Sequence, residues 1–147
     1  METALLPPGL HDRTLDEIHA LCVQAFPVSR TRPGIFAGLA DFYTALARFG
    51  VSVELWVDGS FVTDKENPND VDIVAQVGQK SFASLSPERQ EALFNLFWQR
   101  ETARARWRVD AYIFTRGDRE QESFWLDLFG HSRSGEAKGI IRLQVTP

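Results

Sequence analysis

The sequence predicts a single α+β domain, a mixed β-sheet of about four strands with helices packed against it, two of them N-terminal. Three observations predict it. The spacing of apolar residues changes from helical to alternating near residue 51. From there strand-like and helix-like segments alternate to the end, giving the order ααββαβαβ. The 147 residues are 44% hydrophobic with 11 Phe and 4 Trp, enough for one core, and no repeat or linker divides them.

Residues 1–13, with Pro7, Pro8 and Gly9, read as an extended lead-in. Thr14-Leu-Asp-Glu17 has the form of a capping box, and Leu15, Ile18, Leu21, Cys22 and Ala25 follow at helical spacing, so a helix is expected over 14–26. Pro27 to Arg32 is a break. Pro33 suits the first turn of a second helix, whose buried face is marked by Ile35, Phe36, Leu39, Phe42, Tyr43, Leu46 and Phe49 and whose stop is Gly50. Val51, Val53, Leu55 and Val57 alternate with polar residues or Trp56 as a strand. Residues 58–69 form a loop, and Val71–Val77 a second strand. Ser86-Pro87-Glu88 opens a long helix to about Ala105. A third strand is expected over 107–114, a helix over 119–129 stopped by Gly130, a turn through "HSRSGEAKG", and a fourth strand over 140–145.

The totals exclude several classes. A net charge of −4 argues against a broad nucleic-acid-binding surface. The single cysteine, Cys22, leaves no intramolecular disulfide and no cysteine-based metal knuckle, and its apolar setting reads as core packing. The stretch METALLPPGLHD has no basic leader, and no window reaches the roughly 18 apolar residues of a membrane span, so a cytoplasmic location without membrane attachment is expected. His11, His19 and His131 have no ligand spacing.

The chemistry lies in "WVDGSFVTDKENPNDVDIVAQV", residues 56–77. Side chains two apart on a strand share a face, which places Asp70 and Asp72 about 7 Å apart at ~3.3 Å per residue. Two carboxylates that close repel and lose hydration, and a divalent cation offsets both costs. Asp110, the carboxylate inside "RWRVDAYIF", comes within about 5 Å of the pair if its strand lies alongside. Gly59-Ser60 lets backbone and hydroxyl approach a ligand's phosphate oxygens.

Each residue also has a plainer reading. Gly59-Ser60 alone is a turn. Asp70 alone caps a loop after Asn69. Asp110 could pair with Arg106, Arg108 or Arg142. Asp58 reads as a solvated strand end, and Lys65 and Lys138 read individually as surface lysines. Arg100, Arg104, Arg106 and Arg108 are the basic concentration, read first as a solvated helix end and second as a contact for RNA or an acidic partner. Phe94, Phe97, Trp98, Phe124, Trp125 and Phe129 read as core or interface before base-stacking platforms, and exposed aromatics among them are compatible with a homodimer.

The run "hhhDGS", then "DVDIV", then "VDAYIF" resembles the nucleotidyltransferase fold of the DNA polymerase beta superfamily. The spacing is similar to the minimal nucleotidyltransferase type. "LLPPGLH", "GSFVTDKENPNDVDI" and "AKGIIRLQV" resemble a largely uncharacterised group of small bacterial nucleotidyltransferase-like proteins, over most of the chain. The resemblance implies transfer of a nucleoside monophosphate from an NTP to a hydroxyl of a protein or RNA. It implies Mg²⁺ or Mn²⁺ on Asp70, Asp72 and Asp110, with Asp110 also activating the hydroxyl. Gly59 and Ser60, with Lys65 and Lys138, would take the nucleotide. The sequence departs from the pattern in two ways: no acceptor domain follows, and at most one turn of helix fits between Ser60 and Pro68. These departures keep open a weak or inactive member acting as a binding protein, such as an antitoxin-like partner of a neighbouring gene's product.

Overall fold

The computed structural model describes residues 2–146; Met1 and Pro147, which the expected domain 1–147 includes, lie outside the described residues. Five strands form one mixed sheet in the order β1-β5-β2-β3-β4. They are β1 (Gly9–Asp12), β2 (Val53–Asp58), β3 (Val71–Val77), β4 (Val109–Thr115) and β5 (Gly139–Val145). The central β2 runs antiparallel to both β5 and β3, whereas β4 lies parallel to β3 and β1 parallel to β5. The expectation of four strands is corrected to five. The lead-in carries β1, an edge strand whose four residues alternate too little to show in sequence; its pairing with β5 defines it.

The helices are α1 (Leu15–His19), α2 (Arg32–Ala47), α3 (Gln79–Ala83), α4 (Pro87–Trp98), α5 (Arg100–Trp107) and α6 (Arg119–Phe129). The Thr14–Glu17 capping box forms in both directions at 3.0 and 3.2 Å. After α1 the chain continues in a π-helical turn, Ala20–Gln24, so the expected helix over 14–26 is irregular in its second half. The short α3 was not anticipated. The expected helix to Ala105 is two helices, broken at Gln99 (φ −86°, ψ 61°). Helix-forming residues run on through Trp107, so the third strand starts at Val109 rather than 107, after Arg108 turns the chain in the left-handed region at φ 56°.

Alternation on the sheet sorts its residues to two faces. One face, with Val53, Leu55, Val57, Ile73, Ala75 and Ile141, packs on α2 and α4 through Leu39, Phe42, Leu46, Leu93 and Phe97; Cys22 is buried in the same core. Here α2 crosses α5 so closely that a Cβ on Gly38 would stand 1.8 Å from the Trp107 carbonyl oxygen. The other face carries Trp56, Val74, Phe114 and Ile140 and is covered by Trp125 and Phe129 of α6. Among the described residues no helix is long and apolar enough to cross a membrane.

Candidate functional site

The strand register aligns the acids. Asp58 at the end of β2 is opposite Asp72 on β3, and Asp72 is opposite Asp110 on β4. Directly opposed residues in a ladder place their Cβ atoms roughly 4.5–5.5 Å apart on one face. Three carboxylates therefore form a row across the sheet, on the face that α6 half covers. The sequence expectation that the strand of Asp110 lies beside that of Asp72 is met. Asp70 stands just ahead of β3, where Arg104 Nη2 reaches its Oδ2 at 3.6 Å.

Asp58 corrects the sequence reading. It is not a solvated strand end but fully buried, because β2 is central and its last residue is covered on both sides. Neither carboxylate oxygen has a hydrogen-bond partner of ordinary geometry among the described residues, although Lys138 Nζ lies 3.3 Å from Oδ1. Burial pushes the Asp58 pKa up to about 7, against the opposing pull of Lys138. Burial, then the charges of Asp70 and Asp110, push Asp72 up to about 6. The alternation of β2 and its pairing with β3 were the signals that could have revealed Asp58.

Asp72 belongs to no ion pair among the described residues, whereas its neighbours are paired. Arg100 donates to Asp110 Oδ1 from Nε (3.1 Å) and Nη2 (2.9 Å) and also contacts the Tyr112 hydroxyl, while Arg104 Nη2 stands 3.6 Å from Asp110 Oδ2. The partners named for Asp110 from sequence, Arg106, Arg108 and Arg142, are thus replaced by Arg100 and Arg104; Arg142 instead forms a bidentate pair with Asp12 at 2.6 and 2.9 Å. The basic concentration is correspondingly not just a solvated helix end. Two of its members begin and centre α5, and they hold the acidic row.

The Gly59-Ser60 turn is shaped to this row. Gly59 has φ +85°, and a Cβ there would stand 2.3 Å from Asp72 Oδ2, so only glycine lets the carboxylate lie against the backbone. Ser60–Val62 is a single 3₁₀ turn, in keeping with the one turn that fits before Pro68. Arg32, which the sequence reading left in a break, anchors it from below. Its fully buried guanidinium donates to the carbonyl oxygens of Cys22 (2.9 Å), Phe61 (2.7 Å), Thr63 (2.6 Å) and Lys65 (2.6 Å), and stacks 3.7 Å from the Phe26 ring centroid. No local pattern marks this residue, because its partners are 10 to 33 positions away.

Gly59, Ser60, Asp72, Asp110 and Lys138 line one cleft of ≈ 970 Å³, a ligand-sized volume, and α6 forms its opposite wall. Lys138 is not the surface hairpin lysine that its sequence setting suggests: its side chain is 12% exposed and points into the acidic row. Lys65 lines the cleft at its rim, is exposed, and pairs with Glu2 at 3.7 Å. Asp70 is close enough to perturb Asp72 but is not part of the cleft wall. Of the aromatics, Phe97, Trp125 and Phe129 are core, whereas Phe94, Trp98 and Phe124 are exposed.

A hard divalent cation fits this donor set in kind. All the candidate ligands are carboxylate oxygens, and the Asp72 carboxylate, in no ion pair among the described residues, is kept clear by the missing Cβ of Gly59. With Asp70 and Asp110 turned toward Arg100 and Arg104, no group of three such side chains is arranged to hold an ion as it stands, among the described residues.

No curated protein and no solved structure matches the chain. A protein-family profile described as a family of unknown function (DUF6932) matches residues 1–144, and the chain belongs to that family.

Proposed function

We propose that this protein is a metal-dependent nucleotidyltransferase, moving a nucleoside monophosphate from an NTP to a hydroxyl of a protein or RNA. The observation that carries the reading is the register of Asp58, Asp72 and Asp110 in one row beside the Gly59-Ser60 turn. Asp72 and Asp110, with Asp70, would hold Mg²⁺ or Mn²⁺. Bound there, a divalent cation supplies neutralisation of the charge on the triphosphate and the leaving pyrophosphate. Gly59 and Ser60 present backbone and hydroxyl to the phosphates, and Lys138, already within the cleft, adds a cation. Lys65 at the rim is the outer phosphate contact.

The acceptor hydroxyl oxygen bonds to the α-phosphorus as the bond from that phosphorus to the α,β-bridging oxygen breaks. Pyrophosphate leaves with that electron pair, and the hydroxyl proton passes to a carboxylate oxygen of Asp110. Positioning and charge neutralisation supply most of the acceleration in such a transfer.

A second reading is favoured by one observation. Arg100, Arg104 and Lys138 already occupy Asp110, Asp70 and Asp58. A chain that neutralises its own acids this way would serve as a binding protein on the same fold, for instance the partner of a neighbouring gene's product. A thermal-shift panel of four NTPs with Mg²⁺, Mn²⁺ or EDTA separates the two, run on wild type and Asp72→Asn. Catalysis predicts a metal-dependent rise in melting temperature that Asp72→Asn abolishes together with transfer of label from an α-³²P NTP. No shift with any NTP, or label transfer undiminished in Asp72→Asn, refutes it.

A further inference from the structure

The helix opposite the acidic row divides its apolar residues in two. Trp125 and Phe129 point into the sheet and are 8% and 7% exposed; Trp125 stacks on Tyr112 with centroids 4.7 Å apart. Phe124 and Leu128, one turn apart, are 55% and 54% exposed, and both line the cleft that holds Gly59, Ser60 and Asp72. They contribute little to the core, yet they stand exposed in the same cleft as the acidic row. The chain exposes Val28 and Trp98 too, but neither lines this cleft.

We infer that Phe124, backed by Leu128, is the stacking subsite for the nucleobase of the bound nucleotide. The inference rests on the nucleotidyl-transfer reading, and names the part of the substrate that the second wall takes. An NTP has an ionic part and an aromatic part, and this cleft offers both charged and exposed aromatic groups within one volume of ≈ 970 Å³. The Phe124 ring is already oriented: it packs edge-on to Trp125, with centroids 5.0 Å apart and planes at 85°. A ring held this way loses little freedom when a base covers it. Every base has a π-face, so such a subsite adds affinity more than base choice.

The test is calorimetric binding of ATP and of inorganic tripolyphosphate, both with Mg²⁺, to wild type, Phe124→Ala and Phe124→Trp. Phe124 is exposed, so its replacement leaves the core intact, and circular dichroism checks this. Wild type should bind ATP more tightly than tripolyphosphate. Phe124→Ala should weaken ATP binding between about 5-fold and 150-fold, the range of one base–aromatic stack, and leave tripolyphosphate unchanged. Phe124→Trp should restore ATP binding. Tripolyphosphate and ATP binding alike, or Phe124→Ala weakening both equally or neither, overturns the subsite and leaves the phosphate and metal reading standing. Binding of neither ligand by wild type overturns both.

Discussion

Replacing Asp58 by Asn should make the protein more stable at pH 8, by a margin that shrinks steadily as pH falls through 7, 6 and 5 toward the unfolded pKa. The carboxyl is fully buried and its pKa is raised from 3.8 to about 7. The folded state therefore keeps this proton well above the pH at which the unfolded chain releases it. Below the unfolded value both states are protonated, and the group contributes its full share to stability. As pH rises the unfolded state gains by ionising first, so stability falls until the folded pKa is passed and is flat above it. A difference of about 3 pH units at ~1.4 kcal/mol each is a loss of about 4 kcal/mol by pH 8. Asn has the same shape and no charge, so it removes this loss. It also leaves the Lys138 ammonium without its partner at 3.3 Å, a cost of about 1–2 kcal/mol. The net expectation at pH 8 is a gain of about 2–3 kcal/mol, or roughly 4–12 °C at 2–4 °C per kcal/mol for a chain of this size. Urea titrations of both proteins at pH 5, 6, 7 and 8 measure it. A variant less stable than wild type by the same amount at every pH would show that Asp58 is a satisfied partner of Lys138, and the reasoning would be wrong.

Two further predictions concern the scaffold of the site. Arg32→Met keeps an unbranched apolar side chain in the core but removes the guanidinium that stacks on Phe26 and leaves four buried carbonyl oxygens without their donor; at about 1–3 kcal/mol for each unsatisfied group it should cost at least 3 kcal/mol in urea unfolding, and wild-type stability would refute the anchor. Gly38→Ala should destabilise by about 2 kcal/mol despite the better helix propensity of Ala, because its Cβ would stand 1.8 Å from the Trp107 carbonyl oxygen; a neutral or stabilised variant would show that α2 and α5 separate freely.

The parts of the fold legible in sequence are those whose signal is local. The run Val71–Val77 and the helix Arg119–Phe129 lie where periodicity and caps place them, with Asp118 accepting from Gln121 N at 3.2 Å and Gly130 closing the helix. What could not be read depends on partners distant in the chain. β1 is a strand because β5 lies beside it, and its own residues carry no alternation. The break at Gln99 falls inside a continuous helical composition. The site divides the same way. Gly59, Ser60, Asp72 and Asp110 follow from their spacing and local setting, but the burial of Asp58 and Lys138 follows from β2 being flanked on both sides. Arg32 shows the limit most clearly, since a buried arginine held by carbonyl oxygens has no sequence pattern at all.

The pairing within the acidic row separates what holds the fold from what is free to act. A structural ion cluster gives each carboxylate a cation, since a buried charge left alone costs several kcal/mol. Asp110 has two arginines, Asp70 one and Asp58 a lysine. Asp72 sits between them with none, its pKa raised to about 6 by burial and by the neighbouring aspartates, and with the adjacent backbone kept bare at Gly59 so that its carboxylate can face the cleft. Packing alone gives no reason to keep an acid at that position: Asn would fill the same space against Gly59 without the charge. Asp58 carries a burial cost as well but has Lys138 beside it, whereas Asp72 is the one carboxylate of the row that no cation of this chain pairs with among the described residues, and that is where a cation from outside has the most to contribute. If Asp72 were a relic, Asp72→Asn would raise stability and change nothing else. If it is the centre of the site, the same substitution raises stability and abolishes every metal-dependent response, and the two properties move in opposite directions.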